Sequence, residues 1–348
     1  MRDCTQVMEI FTWIKNMRKF KLTKQEIMPH DITNKYDFEE LTGGAEPFVV
    51  REKSGATKAF GICPACDNPI QILGLYKPIG DGSTAPYGRH YNRDAKIAKH
   101  NENTYLYCPY ASRIYEGNTE HELKNIMTEV EAKIYYLIRA NFDSVVYLMR
   151  QISGLYISSD MAKEMLNHYV ESQGYMYYGA TYYNIPWMIL HTATLPAIPL
   201  FGKIVRKDSI LWNICTQLEN VDLLQKNNKS SCAIIKGKYK NGKPVFIDYA
   251  FSFNKHKRMV KDETVKEELS VTISSKNRVS INNPAGLVPI KNNTLTINEN
   301  RFPSLLQSDK AKELRDTEEN QELLTIAKEC MPDLDGFPDI YNTDMIQQ

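Results

Sequence analysis

The residues best suited to chemistry in this chain are three cysteines. Cys63 and Cys66 form a Cys-Pro-Ala-Cys segment, and Cys108 follows in Tyr-Cys-Pro-Tyr. Thiolates are good ligands for zinc, which is usually held by four Cys or His side chains. We therefore predict a Zn²⁺ site formed by Cys63, Cys66, Cys108 and a fourth ligand, for which His90 is the first candidate.

Several alternatives to this ligand set stay open at the level of sequence. His100 is the second candidate for the fourth ligand, and Asp94 or Asp67 would suit a thiolate-rich site less well. Gly88 is expected to let the chain turn sharply before His90. Four protein ligands would make a closed, structural site with no position for a reactive water. The cysteines could also be reduced and unliganded, with His90 at the surface.

The segment Phe60-Gly-Ile-Cys-Pro-Ala-Cys-Asp-Asn-Pro-Ile resembles the knuckle of zinc ribbons and rubredoxin-like sites. The resemblance implies a hairpin tip whose thiolates point inward and accept hydrogen bonds from backbone N–H groups. The residue after the second cysteine often has a positive φ, which Asp67 and Asn68 tolerate better than most residues. The resemblance covers about ten residues, and the interval from Cys66 to Cys108 is longer than ribbons usually have.

Composition indicates a folded protein in a reducing compartment. The 348 residues are 42% hydrophobic and 24% charged, which is typical of a globular chain. Seven cysteines with one close pair do not suggest a disulfide framework. The sequence contains no apolar run of membrane-spanning length and begins without a secretory signal pattern. We predict a cytoplasmic protein with no membrane association, and the abundance of Asn, Lys, Ile and Tyr suggests a bacterial or phage source.

Charge is unevenly distributed although the net charge is only +1. Asp248 is the only acid between Lys226 and Lys261, whereas acids predominate from Asp309 onward. Such segregation is typical of proteins with an anionic partner, and it also occurs on ordinary solvated surfaces. The candidate nucleic-acid-binding residues are Lys236, Lys238, Lys240, Lys243, Lys255, Lys257 and Arg258, with Arg89 and Arg93 from the predicted metal-binding loop.

Periodicity and turn residues predict the order of the elements. Helices are expected over 5–20, 119–153 (capped by Thr119 and Glu122), 159–173, 209–224 (capped by Asp208) and 309–329. Strands are expected over 48–51, 59–62, 69–76, 232–240, 243–253, 268–275, 278–281 and 295–298, with a type I′ turn at Asn241-Gly242. Residues 77–101 are predicted to form a loop, 185–204 a buried irregular segment, and 331–348 a loose acidic tail.

These elements predict a multidomain α+β protein. We expect an N-terminal α/β region at 1–118, with a zinc-ribbon-like module at about 45–112. A helical domain would follow at 119–228, then a β-rich domain with a basic hairpin at 229–308, and a charged helix with the acidic tail at 309–348.

The function that these features favour is a zinc-stabilised intracellular protein that binds nucleic acid or a nucleoprotein complex and has no catalysis of its own. One alternative is a protein–protein adaptor or inhibitor that uses the tyrosine-rich block 175–187 or the acidic tail as its contact. Another is a metal-dependent nuclease of the His–Asn type around His90 and Asn92. Phosphate-binding loops, dinucleotide fingerprints, nucleophile elbows and kinase signatures are absent from the sequence.

Overall fold

The chain folds into two compact units of mixed helix and sheet. The computed structural model describes residues 17–77, 85–112, 122–225, 230–261, 264–275, 288–339 and 341. One unit comprises 1–116 with 259–266, and the other comprises 117–258 with 267–348. The predicted α+β class is confirmed. The predicted domain boundary at 118 lies close to this division, and the finer division of the remaining chain stays a prediction.

The first unit is built around an antiparallel meander. Its described elements before residue 113 are β1 (Lys19–Phe20), β2 (His30–Asp31), α1 (Lys35–Thr42), β3 (Val49–Arg51), β4 (Thr57–Ile62), β5 (Pro69–Leu73), β6 (Tyr87–His90) and α2 (Glu102–Leu106). Strands β3 to β6 form one sheet in sequence order, and β1 pairs with β2. The strands predicted over 48–51 and 59–62 are confirmed, and the strand predicted over 69–76 is confirmed as far as Leu73. Strand β6 lies where the sequence predicts a loop.

The start of the described chain is extended where a helix was predicted. Residues 5–16 of that predicted helix lie outside the described residues. Residues 17–20 are not helical, so this part of the prediction is wrong. Lys21 exchanges backbone hydrogen bonds with Ile62, at 2.8 and 3.0 Å, so this segment lies along β4. A Cβ on Gly61 would lie 2.9 Å from the Phe20 ring, so the glycine leaves room for this ring. Sheet pairing therefore overrides the helical periodicity of the local sequence.

The remaining elements of the described chain combine helices with short and long strands. They are α3 (Glu129–Ala140), α4 (Phe142–Ser153), α5 (Ser159–Glu171), a 3₁₀ turn (Gly174–Met176), α6 (Ile185–Ala193), β7 (Ile198–Pro199), β8 (Ile204–Arg206), α7 (Ile210–Cys215), β9 (Val221–Gln225), β10 (Cys232–Gly237), β11 (Tyr239–Lys240), β12 (Lys243–Pro244), β13 (Tyr249–Lys261), β14 (Thr264–Ser275), β15 (Val288–Ile297), α8 (Arg301–Leu306), α9 (Asp309–Arg315) and α10 (Glu318–Cys330). The sheets have the orders β8-β10-β9, β11-β12 and β15-β14-β13-β7.

The long helix predicted over 119–153 is instead two helices that begin later. Thr119 lies outside the described residues, and α3 begins after Thr128, whose side chain forms a capping box with Glu131. Asn141 interrupts the helix between α3 and α4. Gly154 ends α4 in the left-handed conformation, as predicted. The apolar residues of this segment do recur at helical spacing, as predicted. That spacing does not determine where a helix starts, because a cap further along the segment can be used.

Two predictions between 185 and 224 are wrong for local reasons. Residues 185–193 are helical because Pro186 lies in the first turn, where its missing N–H is not needed. The helix predicted over 209–224 ends at Cys215, and β9 follows. Ser209 is its N-cap and accepts a hydrogen bond from Trp212, whereas Asp208 lies outside with φ at 62°.

The C-terminal predictions are mostly confirmed. Asn241 and Gly242 have φ values of 53° and 75°, as a type I′ turn requires. Strands β14 and β15 include the predicted 268–275 and most of 295–298, while 278–281 lies outside the described residues. The predicted 309–329 helix is divided into α9 and α10, because Thr317 caps the second one.

Residues 331–339 are not the loose tail that the sequence predicts. The hydroxyl of Tyr135 donates to the Pro332 carbonyl at 2.9 Å, and that of Tyr136 donates to the Phe337 carbonyl at 2.8 Å. Arg139 pairs with Asp333. The segment is therefore held against α3. Residues 342–348 lie outside the described residues.

Gly154, at the end of α4, lies so close to Ser209 that a substitution there is expected to destabilise the fold. Its φ is 75°, and a Cβ there would lie 2.0 Å from the side chain of Ser209, which caps α7. We expect Gly154→Ala to lower the free energy of unfolding by about 1–2 kcal/mol for the left-handed backbone, and by about 1–3 kcal/mol more for overpacking. Urea denaturation followed by circular dichroism measures the change.

Gly202→Ala is the matched control for this substitution. Gly202 has φ 78° but no atom within 4 Å of its Cβ position, so only the backbone cost applies. Equal losses from the two substitutions would contradict a close contact between Gly154 and Ser209.

Candidate metal centre

The first two ligand candidates lie at the tip of the β4–β5 hairpin. The Cys63 N–H donates to the Asn68 carbonyl at 2.7 Å, and the Asp67 N–H donates to the Cys63 carbonyl at 3.2 Å. Asp67 has φ 58°, which agrees with the expectation for the residue after the second cysteine. This tight turn directs both thiols into the interior, where Cys63 is fully buried and Cys66 is 3% exposed.

His90 reaches the same place from strand β6, where it lies opposite Ile70 on β5. Its Nε2 atom lies 3.3 Å from the Cys66 sulfur and 3.6 Å from the Cys108 sulfur. The predicted role of Gly88 as a sharp turn is wrong, because Gly88 lies within the strand. A Cβ on Gly88 would lie 2.9 Å from Ile70 Cδ1, so this glycine permits close packing beside β5.

Cys108 is supplied by the turn that follows α2. Asn101 caps this helix by accepting the Asn103 N–H at 3.0 Å, and the Cys108 N–H donates to the Tyr105 carbonyl at 3.0 Å. The Cys108 sulfur lies 3.6 Å from the Cys63 sulfur. Tyr105 also packs edge-on against the His90 ring, with 5.0 Å between ring centroids. The backbone hydrogen bond therefore positions Cys108, and Tyr105 holds the His90 ring beside it.

The structure brings together the four residues that the sequence proposed. The ligand atoms of Cys63, Cys66, His90 and Cys108 all lie within 4.8 Å of one another. The three thiols are buried, and the imidazole is half-buried. Three thiols and one imidazole converging from three segments could hold a metal ion.

The protonation of these thiols is governed by their burial and by their mutual contacts. Burial raises the pKa of the Cys66 and Cys108 thiols above the ordinary value. Burial also acts on Cys63, but hydrogen bonds to its sulfur from Cys108, Cys66 and nearby backbone N–H groups lower its pKa well below that value. One thiolate is thus stabilised by its neighbours, and a bound cation would stabilise the others in the same way.

Asn68 joins the knuckle to the segment that carries Cys108. Its buried amide group donates to the Cys66 sulfur at 3.2 Å and to Thr104 Oγ1 at 2.7 Å. Its carbonyl oxygen accepts the Asn101 N–H at 2.6 Å. The sequence indicates only the backbone tolerance of Asn68. Its position beside the second cysteine is a weak signal, since the partners lie more than 30 residues away.

A buried ion pair lies on the other side of the knuckle and was not anticipated. Lys21 Nζ lies 2.5 Å from Asp67 Oδ1, and the two side chains are 1% and 5% exposed. Asp67 therefore pairs with a lysine and is not the fourth ligand. The other candidate ligands are also engaged elsewhere. His100 Nε2 lies 3.0 Å from Glu102, and Asp94 accepts a hydrogen bond from the backbone N–H of His100 at 2.9 Å.

The candidate nucleic-acid-binding residues are not equally accessible. Lys236 is half-buried, and it lies directly opposite Asp222 on β9. The exposed members of the set are Lys238, Lys240, Lys243, Lys255, Lys257, Arg89 and Arg93. Of these, Arg89 and Arg93 belong to the first unit, and the lysines belong to the second.

Arg258 is a correction to that set. Its side chain is 5% exposed, and its Nε lies 2.6 Å from Glu267 Oε1. Asn184 donates to the other oxygen of Glu267 at 2.8 Å, and His256 Nε2 lies 3.5 Å from it. Burial raises the pKa of Glu267, but Arg258, His256 and Asn184 lower it to well below the ordinary value. Arg258 therefore serves an internal ion pair, which alternation along β13 could not reveal.

The tyrosine-rich block is a second correction. Tyr175, Tyr177, Tyr182 and Tyr183 are at most 8% exposed, and Trp187 is 1% exposed. These rings form part of the interior of the second unit. These five rings cannot provide the protein-binding surface that the sequence suggested.

Comparison with known proteins adds no assignment. No protein-family profile, curated protein or solved structure matches this chain. Within the described ranges, no helix has both the length and the apolar character needed to cross a bilayer. Functional inference for this chain therefore depends on its own residues.

The contacts of Asn68 predict that it supports metal binding without being a ligand. Asn68→Ala removes the N–H donated to Cys66 and the link to residues 101–104. We expect the affinity for the metal to fall by about 10–100-fold, as when outer-shell partners are lost from other metal sites. Competition with a chromophoric chelator measures this affinity. Asn92→Ala, at an exposed position near His90, is the control, and equal affinities for the two variants would refute the role of Asn68.

Proposed function

We propose that this chain is a zinc-stabilised cytoplasmic protein that binds nucleic acid and has no catalysis of its own. The observation that carries the proposal is the convergence of three buried cysteines, Cys63, Cys66 and Cys108, with the half-buried His90. The four residues come from a hairpin, a strand and the turn after a helix, so a metal there would fix the relative positions of all three.

The donor set favours zinc among the common metals. Three thiolates and an imidazole are soft and borderline ligands, which bind Zn²⁺ well and Mg²⁺ or Ca²⁺ poorly. Tetrahedral coordination with zinc–sulfur bonds of about 2.3 Å places sulfur atoms about 3.8 Å apart. The 3.6 Å between the Cys63 and Cys108 sulfurs is close to that spacing. Four protein ligands leave no position for a reactive water, which supports a structural role.

Nucleic acid is the proposed partner because several exposed lysines form no ion pair with any acid in the described part of the chain. Lys238, Lys240, Lys243 and Lys257 are exposed, and within the described chain no ion pair joins them to a carboxylate. By contrast, Lys163, Lys310 and Lys312 each pair with a nearby acid. Ammonium groups without counter-charges favour a polyanion, since binding releases its condensed counterions.

The same purified protein can be used to test two other functions. An adaptor or inhibitor would use these lysines against an acidic protein, and its binding would not depend on nucleic acid. A His–Asn nuclease would need His90 for catalysis, whereas here His90 lies among three cysteine sulfurs. Metal-dependent cleavage that is lost in His90→Ala while the fold is retained would favour the nuclease.

The proposed metal predicts about one zinc per chain in native protein. Cys108→Ser removes one ligand, so we expect loss of zinc and a lower melting temperature of the first unit, because metal binding contributes directly to folding. Elemental analysis and calorimetry measure the two effects. Cys232→Ser alters a partly exposed cysteine outside the group and should change neither. Substoichiometric zinc in untagged, undenatured protein would contradict the proposal.

The proposed partner predicts binding that weakens with salt. Replacing Lys238, Lys240 and Lys243 with glutamine should lower the affinity for an oligonucleotide. It should also make the slope of log K against log salt shallower by about 2, since each lost contact with a single strand removes about 0.7. Fluorescence anisotropy between 50 and 200 mM salt covers the range in which this effect is large.

The charge-matched control replaces Lys163, Lys310 and Lys312 with glutamine. These lysines are ion-paired with acids, so their loss should leave the affinity and the slope nearly unchanged. Equal effects of the two triple variants would show that binding reflects net charge alone. Absence of any binding at low salt would reject nucleic acid as the partner.

A further inference from the structure

The exposed lysines and two exposed aromatic rings lie on one short hairpin, residues 238–246, which we call the hairpin arm. Strands β11 and β12 pair in the register Tyr239↔Pro244 and Lys240↔Lys243. The Val245 N–H donates to the Lys238 carbonyl at 2.7 Å, which extends the ladder by one step. With a type I′ turn at its tip, the arm is an ordered two-stranded ribbon.

The lysines of the arm share one face. Lys240 and Lys243 are directly opposite each other, so their side chains lie on the same side of the ribbon. Lys238 is two residues before Lys240 and therefore lies on that side too. Tyr239, between them in sequence, points to the other side. The arm thus separates a cationic face from a face that carries an aromatic ring.

The aromatic rings of the arm are unusually exposed for this chain. Tyr239 is 71% exposed and Phe246 is 77% exposed. A single exposed apolar residue is ordinary and would carry no inference. Here, however, two rings lie within a few residues of three lysines that have no acidic partner in the described chain. The same unit buries the rings of Tyr175, Tyr177 and Tyr182.

We propose that the hairpin arm binds single-stranded nucleic acid, with phosphates on Lys238, Lys240 and Lys243 and unpaired bases stacked on Tyr239 and Phe246. This inference rests on the proposed function and specifies its substrate. Unpaired bases expose their faces to aromatic side chains, and such stacking tolerates any base. A duplex hides the base faces inside its own stack, so it would engage only the lysines.

The test compares single-stranded and duplex oligonucleotides of equal length, using the full metal-loaded chain and fluorescence anisotropy at low salt. We expect the single strand to bind more tightly. Tyr239→Ala and Phe246→Ala should each weaken single-strand binding by about 5–150-fold, which corresponds to about 1–3 kcal/mol for one stacked base. Duplex binding should not change.

Two further variants separate stacking from general damage. Tyr239→Trp keeps a stacking ring and should retain single-strand affinity. Tyr36→Ala removes a tyrosine that is 81% exposed on α1 in the first unit, and it should have no effect. Because Tyr239 and Phe246 are so exposed, circular dichroism and melting temperature should be the same for all four variants.

The possible failures are distinguishable. If neither oligonucleotide binds, the proposed function fails, and this inference fails with it. If both bind equally and depend on the lysines but not on the rings, stacking is overturned while phosphate binding stands. If polyglutamate binds more tightly than either oligonucleotide and with the same lysine dependence, the partner is an acidic protein and the inference is overturned.

Discussion

The convergence of three buried thiols and a half-buried imidazole at one point is the constraint around which the first unit is organised. Burial alone would hold such thiols in their protonated form, and a cation reverses that preference by stabilising thiolates. The β4–β5 hairpin, strand β6 and the turn after α2 each supply ligands to this point. Asn68 and the Lys21–Asp67 pair lie directly beside it. Both connect the knuckle to distant segments, so the metal centre and the packing around it depend on each other.

The second unit follows a different principle, in which a hydrophobic and aromatic interior encloses a few paired charges. Glu267 is held ionised among Arg258, His256 and Asn184, and four tyrosines of the 175–183 segment, Tyr175, Tyr177, Tyr182 and Tyr183, are buried. Breaking such a buried pair is costly, because the remaining charge would lack a partner. These groups therefore stabilise the fold and are not available to bind a partner. The groups left available for recognition lie on the outside, and the hairpin arm carries several of them.

Local signals in the sequence predicted part of this structure well. The hairpin turn at Cys63–Cys66 with a positive φ at Asp67, the Asn241-Gly242 turn and the end of α4 at Gly154 agree with expectation, because each depends on the backbone preferences of two to four neighbouring residues. Longer elements were less predictable. Periodicity indicated an apolar stripe before Gly154 but not that Thr128 caps the helix. Likewise, Pro186 suggested an irregular segment, although proline is compatible with the first turn of α6.

By itself, the sequence determined the three cysteines of the candidate metal centre and the excess of lysines near residue 240. It also proposed His90 as the fourth ligand, without a local reason to exclude His100. Tertiary structure decided between them, because pairing of β6 with β5 brings His90 to the sulfurs, while His100 is held by Glu102. In the folded chain the Arg258 side chain also pairs with Glu267, whereas Lys238, Lys240 and Lys243 remain exposed. The positions of His90 and Arg258 depend on which strands pair in the folded chain, which short-range patterns of residue type cannot specify.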